Sequence, residues 1–207
     1  MKTLFSMFRM KLLTGLQYRA AAWAGVATQF FWGFMLIMIY EAFYRHTDAR
    51  PAMELSQLCR YIWLQQSFFF LTGTSILDHD IRDLITSGGL AYELCRPVSL
   101  YGMWFARILG AKLAGTALRF LPVLLVASLL PAPYRMTLPP GPAHLLLFLA
   151  ALALAALLST ALVLLICVLT VRTLSVTGPA YVVFTLQTFF SGAVIAVPFM
   201  PRALQRL

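Results

Sequence analysis

The feature that most constrains this chain is a series of apolar runs too long and too pure for a soluble fold. Residues 143–170 are almost entirely leucine and alanine, and comparable runs cover 20–43, 57–77, 100–130 and 174–197. In hydrocarbon each backbone N–H and C=O must bond within the protein, so apolar runs of about 20 residues read as helices. The whole 207-residue chain is 61% hydrophobic and 11% charged, against about 25% charged in soluble domains. The expected fold class is therefore an all-α integral membrane protein, with one transmembrane domain over 1–207 and about five spans.

The remaining segments set orientation. Residues 1–19 interleave Lys2, Arg9 and Lys11 with Leu4, Phe5, Phe8, Leu12 and Leu16. There is no compact apolar core with a small-residue cleavage site, so this reads as an amphipathic interfacial helix and not as a signal peptide. The net charge is +9. Its basic residues flank apolar runs, as anionic headgroups and membrane orientation select, so nucleic acid is not an expected partner and membrane lipid is. Lys2, Arg9, Lys11, Arg19, Arg82, Arg96, Arg107, Lys112 and Arg172 would lie inside, and Arg45, Arg50, Arg60, Arg135 and the terminal Arg202 and Arg206 outside. This places the N-terminus in the cytoplasm. Five crossings leave the C-terminus outside, which suggests a missing final span or a re-entrant fifth run. Span three reads as a surface approach over Tyr101 to Arg107 followed by a crossing that Pro122 could kink.

Residues 78–97 separate two apolar runs and hold four of the seven acidic residues. Ile81, Leu84 and Ile85 fall on one helical face, with Asp80 and Asp83 elsewhere. Asp78 suits an N-cap and Gly88-Gly89 a left-handed stop. The apolar stripe needs a partner, either headgroups or another protein. A docking element would insert that stripe into a partner's groove while its carboxylates meet basic residues on the rim.

Chemistry-bearing motifs are sparse. There is no GxxxxGK[ST], HExxH or GxSxG, so an ATP-cradling loop and the common hydrolase and zinc-protease sites are excluded. An enzyme using lone Glu or Tyr groups stays open. His46, His79 and His144 are scattered, and Cys59, Cys95 and Cys167 form no CxxC and read as small buried apolar residues. No metal site is expected. Within the spans, Arg119, Glu41, Arg60, Gln65, Gln187 and Ser191 are candidates for a polar pathway or gate, because ionised groups in hydrocarbon cost at least about 2.5 kcal/mol. Snorkelling of Arg60 and interhelical bonding by Arg119, Gln187 and Ser191 fit the same pattern. Gly102, Ala106, Gly110 and Ala114 recur every fourth residue, which marks a close helix–helix seam without naming its partner.

The ordered set Leu16-Gln17-Tyr18-Arg19, Tyr61-Ile62-Trp63-Leu64-Gln65-Gln66, Asp80-Ile81, Ile85-Thr86-Ser87-Gly88, Ala91-Tyr92-Glu93-Leu94, Arg96-Pro97, Tyr101, Ser191-Gly192 and Pro198-Phe199-Met200-Pro201 resembles the ABC-2 type transporter permease family, in the branch described as an uncharacterised ABC transport system permease component. The resemblance implies a permease subunit of an ATP-binding cassette exporter in the bacterial cytoplasmic (inner) membrane. It implies six spans, a second permease as homo- or heterodimer partner, and separate ATPase subunits that carry Mg-ATP, so this chain needs no cofactor or catalytic residue of its own. A cytoplasmic coupling helix between spans two and three would meet the ATPase through Asp80, Ile81, Asp83, Leu84, Ile85, Gly88, Tyr92, Glu93 and Arg96. The rival functions are a non-transporting membrane assembly subunit and a channel or secondary carrier. The family pattern continues to a sixth span after Pro201, where this chain stops.

Overall fold

The computed structural model describes residues 2–46, 52–74, 79–137, 139 and 141–206. Among the described residues every regular element is helical. Helices α1 (Lys2–Gln17), α2 (Arg19–Arg45) and α3 (Leu55–Thr72) come first. Then follow α4 (His79–Thr86), α5 (Leu90–Leu94), α6 (Leu100–Leu129), α7 (Pro142–Thr173) and α8 (Thr177–Phe190), with short 3-10 turns at Val197–Phe199 and Leu204–Arg206.

Three helices, α2, α6 and α7, are long and apolar enough to cross a membrane. The other two expected spans fall short for different reasons. Helix α3 has 18 residues, among them Gln57, Arg60, Gln65 and Gln66. Helix α8 has 14 residues, about 21 Å of rise against a hydrocarbon core of about 30 Å. It stops at Phe190, and Gly192 then turns the chain with φ 77°.

The approach and the crossing expected of span three form one continuous helix. Helix α6 runs without interruption for 30 residues and carries Pro122 inside. At about 1.5 Å per residue it is about 45 Å long, some 15 Å more than the hydrocarbon needs. Helix α1 lies along the N-terminal half of α6 and runs parallel to it. Leu4 touches Gly102, Phe8 meets Gly110, and Gly15 abuts Ala114. The small-residue seam therefore has its partner in the same chain, and α1 packs on protein as well as having an interfacial pattern. Only glycine permits this approach at position 110. A Cβ there would stand 2.8 Å from the Phe8 carbonyl oxygen.

The core divides into two clusters. One joins Val26 and Ile37 of α2, Leu58, Ile62 and Trp63 of α3, and Val123 and Ala127 of α6. Trp63 is fully buried, and its indole N–H donates to the Tyr134 carbonyl at 3.0 Å. The other cluster joins Ile81 and Ile85 of α4, Met103, Trp104 and Ile108 of α6, and Val163, Leu164 and Cys167 of α7, with Leu4 and Met7 of α1 against it.

Candidate functional site

The acidic segment folds as α4, a turn and α5. Asp78, the expected N-cap, lies outside the described residues. Gly88 has φ 78° and ends α4 in the left-handed conformation that its type allows at little cost. Ser87 N–H donates to the Asp83 carbonyl at 2.9 Å in the last turn.

The apolar stripe already has its groove. Ile81 is 0% and Ile85 3% exposed, both inserted between α6 and α7 of this chain. Leu84 is half-buried beneath Gly89. Burying two isoleucines stabilises the seating by about 1.5–3 kcal/mol each. This corrects the docking geometry read from the sequence, in which Ile81 and Ile85 enter a groove on another protein. A helix of eight residues forms stably only where tertiary packing holds it, and the nearest apolar surface is its own chain.

Two carboxylates are likewise turned toward this chain. Asp80 Oδ2 accepts from Lys11 Nζ at 2.9 Å and from an Arg107 guanidinium nitrogen at 3.0 Å. The Lys11 hydrogen bond comes first among the influences that hold the Asp80 carboxyl below the ordinary range, with Arg107 adding to it and partial burial opposing it. Glu93 is buried, accepts from the Trp104 indole at 2.7 Å and lies 4.0 Å from Arg107. Lys11 and Arg107 thus tie the segment to α1 and α6. What faces outward is a different set: Asp83, Gly88, Arg96, Tyr92 at 81% exposure and Leu94 at 63%. Cys95 is exposed as well, contrary to its expected burial, whereas Cys59 and Cys167 are buried as expected.

The six candidate pathway residues separate into four places. Gln65, Gln187 and Ser191 line one cleft of about 520 Å³ between α3, α7 and α8. Glu41 lies elsewhere, bound to Arg45 at 2.6 Å and accepting from the Tyr134 hydroxyl at 3.1 Å. That bond is the main reason the Tyr134 phenol is raised above its ordinary value. Arg60 also lies apart from the cleft, its Nε buried with no hydrogen-bond partner among the described residues. Arg119 sits in the seam of α2, α3 and α6. Its guanidinium lies 4.2 Å from the centre of the Phe70 ring and beside Gly25, and its buried Nε has no hydrogen-bond partner among the described residues.

The residue that the sequence reading misplaced is Lys112. Counted there as a flanking positive charge, it is 1% exposed inside α6. Its ammonium donates to the Leu71 carbonyl at 3.3 Å, the Gly73 carbonyl at 2.8 Å and the Ser159 hydroxyl at 2.7 Å. An ammonium has three donors, and each finds an acceptor. Those carbonyls belong to the C-terminal end of α3, where the helix leaves them unpaired and its dipole favours a cation. Gln187 completes the arrangement by donating to the Thr72 carbonyl at 3.3 Å and accepting from Thr74 at 2.9 Å. One polar knot therefore joins α3, α6, α7 and α8. A sequence signal for it exists: Trp104, Ile108, Lys112 and Thr116 step by four along the buried face of α6.

No group of three or more His, Cys, Asp or Glu side chains among the described residues could hold a metal ion. No protein-family model, curated protein or solved structure matches this chain.

Proposed function

We propose that this chain is the transmembrane permease subunit of an ATP-driven exporter of the ABC-2 type. In this reading it lies in a bacterial inner membrane with its N-terminus cytoplasmic. It pairs with a second permease and with separate ATPase subunits that bind Mg-ATP. Helix α3 crosses alongside α2, α6 and α7 with its polar groups facing protein and not lipid, and the shorter α8 is re-entrant.

The observation that carries the reading is the seating of α4. A segment that is to transmit force must be fixed to the helices it moves and must still offer a surface to whatever moves it. Ile81 and Ile85 are keyed between α6 and α7, while Asp83, Gly88, Tyr92, Leu94 and Arg96 point away from the chain. Closure of the ATPase subunits would press on that outward face and shift α4, α6 and α7 together. The end of α3, held by Lys112 and Gln187, would follow. A partner moves such an equilibrium only through different affinities for its two states, and ATP binding supplies that difference.

The test begins with purification in detergent and mass spectrometry of what accompanies the chain. An ATPase subunit is expected, and the double substitution Tyr92→Ala with Leu94→Ala should release it without lowering the thermal stability of the permease, because both side chains are exposed. Cys95 provides an independent check of sidedness. A membrane-impermeant maleimide should label it in inside-out vesicles only, since the other two cysteines are buried. Labelling from the exterior would put α4 out of reach of a cytoplasmic ATPase and end the proposal.

A further inference from the structure

The cleft between α3, α7 and α8 is walled by Leu64, Phe68, Phe148, Leu152, Leu158 and Phe184 among others. At about 520 Å³ it falls within the range of about 300–1,000 Å³ typical of small-molecule sites. Among the described residues, no Asp, Glu, Lys, Arg or His lines it. Its polar side chains donate to the protein's own carbonyls: Tyr61 to Gly192 at 2.9 Å, Gln65 to Ala193 at 3.1 Å, Gln187 to Thr72 at 3.3 Å, Thr188 to Phe184 at 2.7 Å. A charged ligand would therefore find no compensating charge, and a ligand rich in hydrogen-bonding groups would lose its water for few new partners. The lining selects hydrocarbon.

The position of the cleft narrows the choice. One wall is α7, the most apolar of the three long helices. At the rim, Leu158 is 63% and Phe69 42% exposed, so the cleft opens toward whatever surrounds α7, which is lipid. Along α3, from Tyr61 to Gly73, its length is about 18 Å at about 1.5 Å per residue. One leaflet contributes about 15 Å of hydrocarbon, half the thickness of the core. Polar groups bracket both ends, Tyr61 and Gln65 at one and the Ser159 and Gly73 partners of Lys112 at the other.

We propose that this cleft binds the acyl chain of a membrane phospholipid, entering sideways from one leaflet, and that the exported substrate is of this acyl-chain class. The substrate assignment rests on the exporter reading, whereas the binding site stands on the cleft alone.

The experiment uses the full chain, with whatever ATPase purifies with it, in nanodiscs containing phosphatidylcholine with a diazirine on one acyl chain. After irradiation, adducts should concentrate on Phe148 and Leu152, which line the cleft and are half-buried. Leu146, Leu147 and Leu154 of the same helix, more than two-thirds exposed and outside the cleft, report ordinary contact with bulk lipid. Ala155→Trp should fill the cleft, and a clash of about 1.4 kcal/mol lowers occupancy about tenfold, with labelling of the three outer leucines unchanged. Leu152→Trp serves in the same role if the first variant does not fold. Equal labelling inside and outside the cleft, or labelling that neither tryptophan reduces, overturns the site. Cleft adducts that Mg-ATP leaves unchanged in the presence of the ATPase would keep the site and remove the substrate assignment, whereas the absence of any copurifying ATPase would remove the exporter reading.

Discussion

The α1–α6 seam and the α3–α7–α8 cleft are both helix contacts, yet they are built from opposite side chains. In the seam, Gly15, Gly102, Gly110 and Ala114 let the helices approach closely, and at Gly15 and Gly110 nothing larger fits. In the cleft, Phe68, Phe148, Phe184 and four leucines, Leu64, Leu152, Leu158 and Leu162, hold the helices apart and leave about 520 Å³ between them. Small residues pack helices closely through van der Waals contact, whereas rings and long branched chains touch at their tips. The first arrangement suits a fixed mount for the α4 segment. The second suits a space whose content changes. The two regions meet at the Lys112 knot, which closes one end of the cleft with groups from α3, α6 and α7.

The largest expected effect is at that meeting point. Lys112→Met keeps the length of the side chain and removes its donors, which strands the Gly73 carbonyl in the interior, while the Leu71 carbonyl keeps the Ser159 hydroxyl at 2.9 Å. An unsatisfied buried group costs about 1–3 kcal/mol, so a loss of about 3 kcal/mol is expected in detergent unfolding followed by tryptophan fluorescence. Unchanged stability would mean that water reaches the end of α3, and the cleft would then be open there.

Next comes enlargement in the seam. Gly110→Leu forces α1 away from α6 and should cost about 1–3 kcal/mol as overpacking. Ala155→Leu in the cleft should stay within about 0.5 kcal/mol of the parent. Equal costs at the two sites would erase the contrast between them.

The smallest effect concerns the rim of the seam. Asp80→Asn removes the two ion pairs to Lys11 and Arg107. Asp80 is 64% exposed in its side chain, so solvent and salt screen the pairs and the loss should stay under about 1 kcal/mol. The sign with pH follows from the lowered carboxyl. Its contribution is present above the ordinary carboxylate range and disappears as pH falls through the folded value. The stability curves of parent and variant should therefore converge in acid and part again toward neutrality. A constant gap across that window would assign the loss to packing and not to charge.

Much of the architecture was legible from residue order. The run 143–170 contains nothing that a strand or loop could use to satisfy its backbone in lipid, and it forms the centre of α7. The Ile81, Leu84 and Ile85 stripe predicted a helix, and α4 spans it. Gly88 ended that helix where its type allows φ above zero. The small-residue period on α6 announced a close contact that is present. Span count was harder, because hydropathy treats α3 and α8 alike as apolar runs, although their lengths and polar content differ.

Periodicity determines which face of a helix needs cover, and apolar length determines that helices must form. Neither says what supplies the cover, because a stripe of isoleucine is satisfied equally by a foreign groove or by its own chain. Only tertiary packing decided that Ile81 and Ile85 enter the space between α6 and α7, that α1 fills the glycine seam, and that Lys112 turns inward to the end of α3. The physical reason is that these contacts join residues far apart in the chain. Their energies depend on which surfaces meet in space, and local order along the chain does not encode that directly.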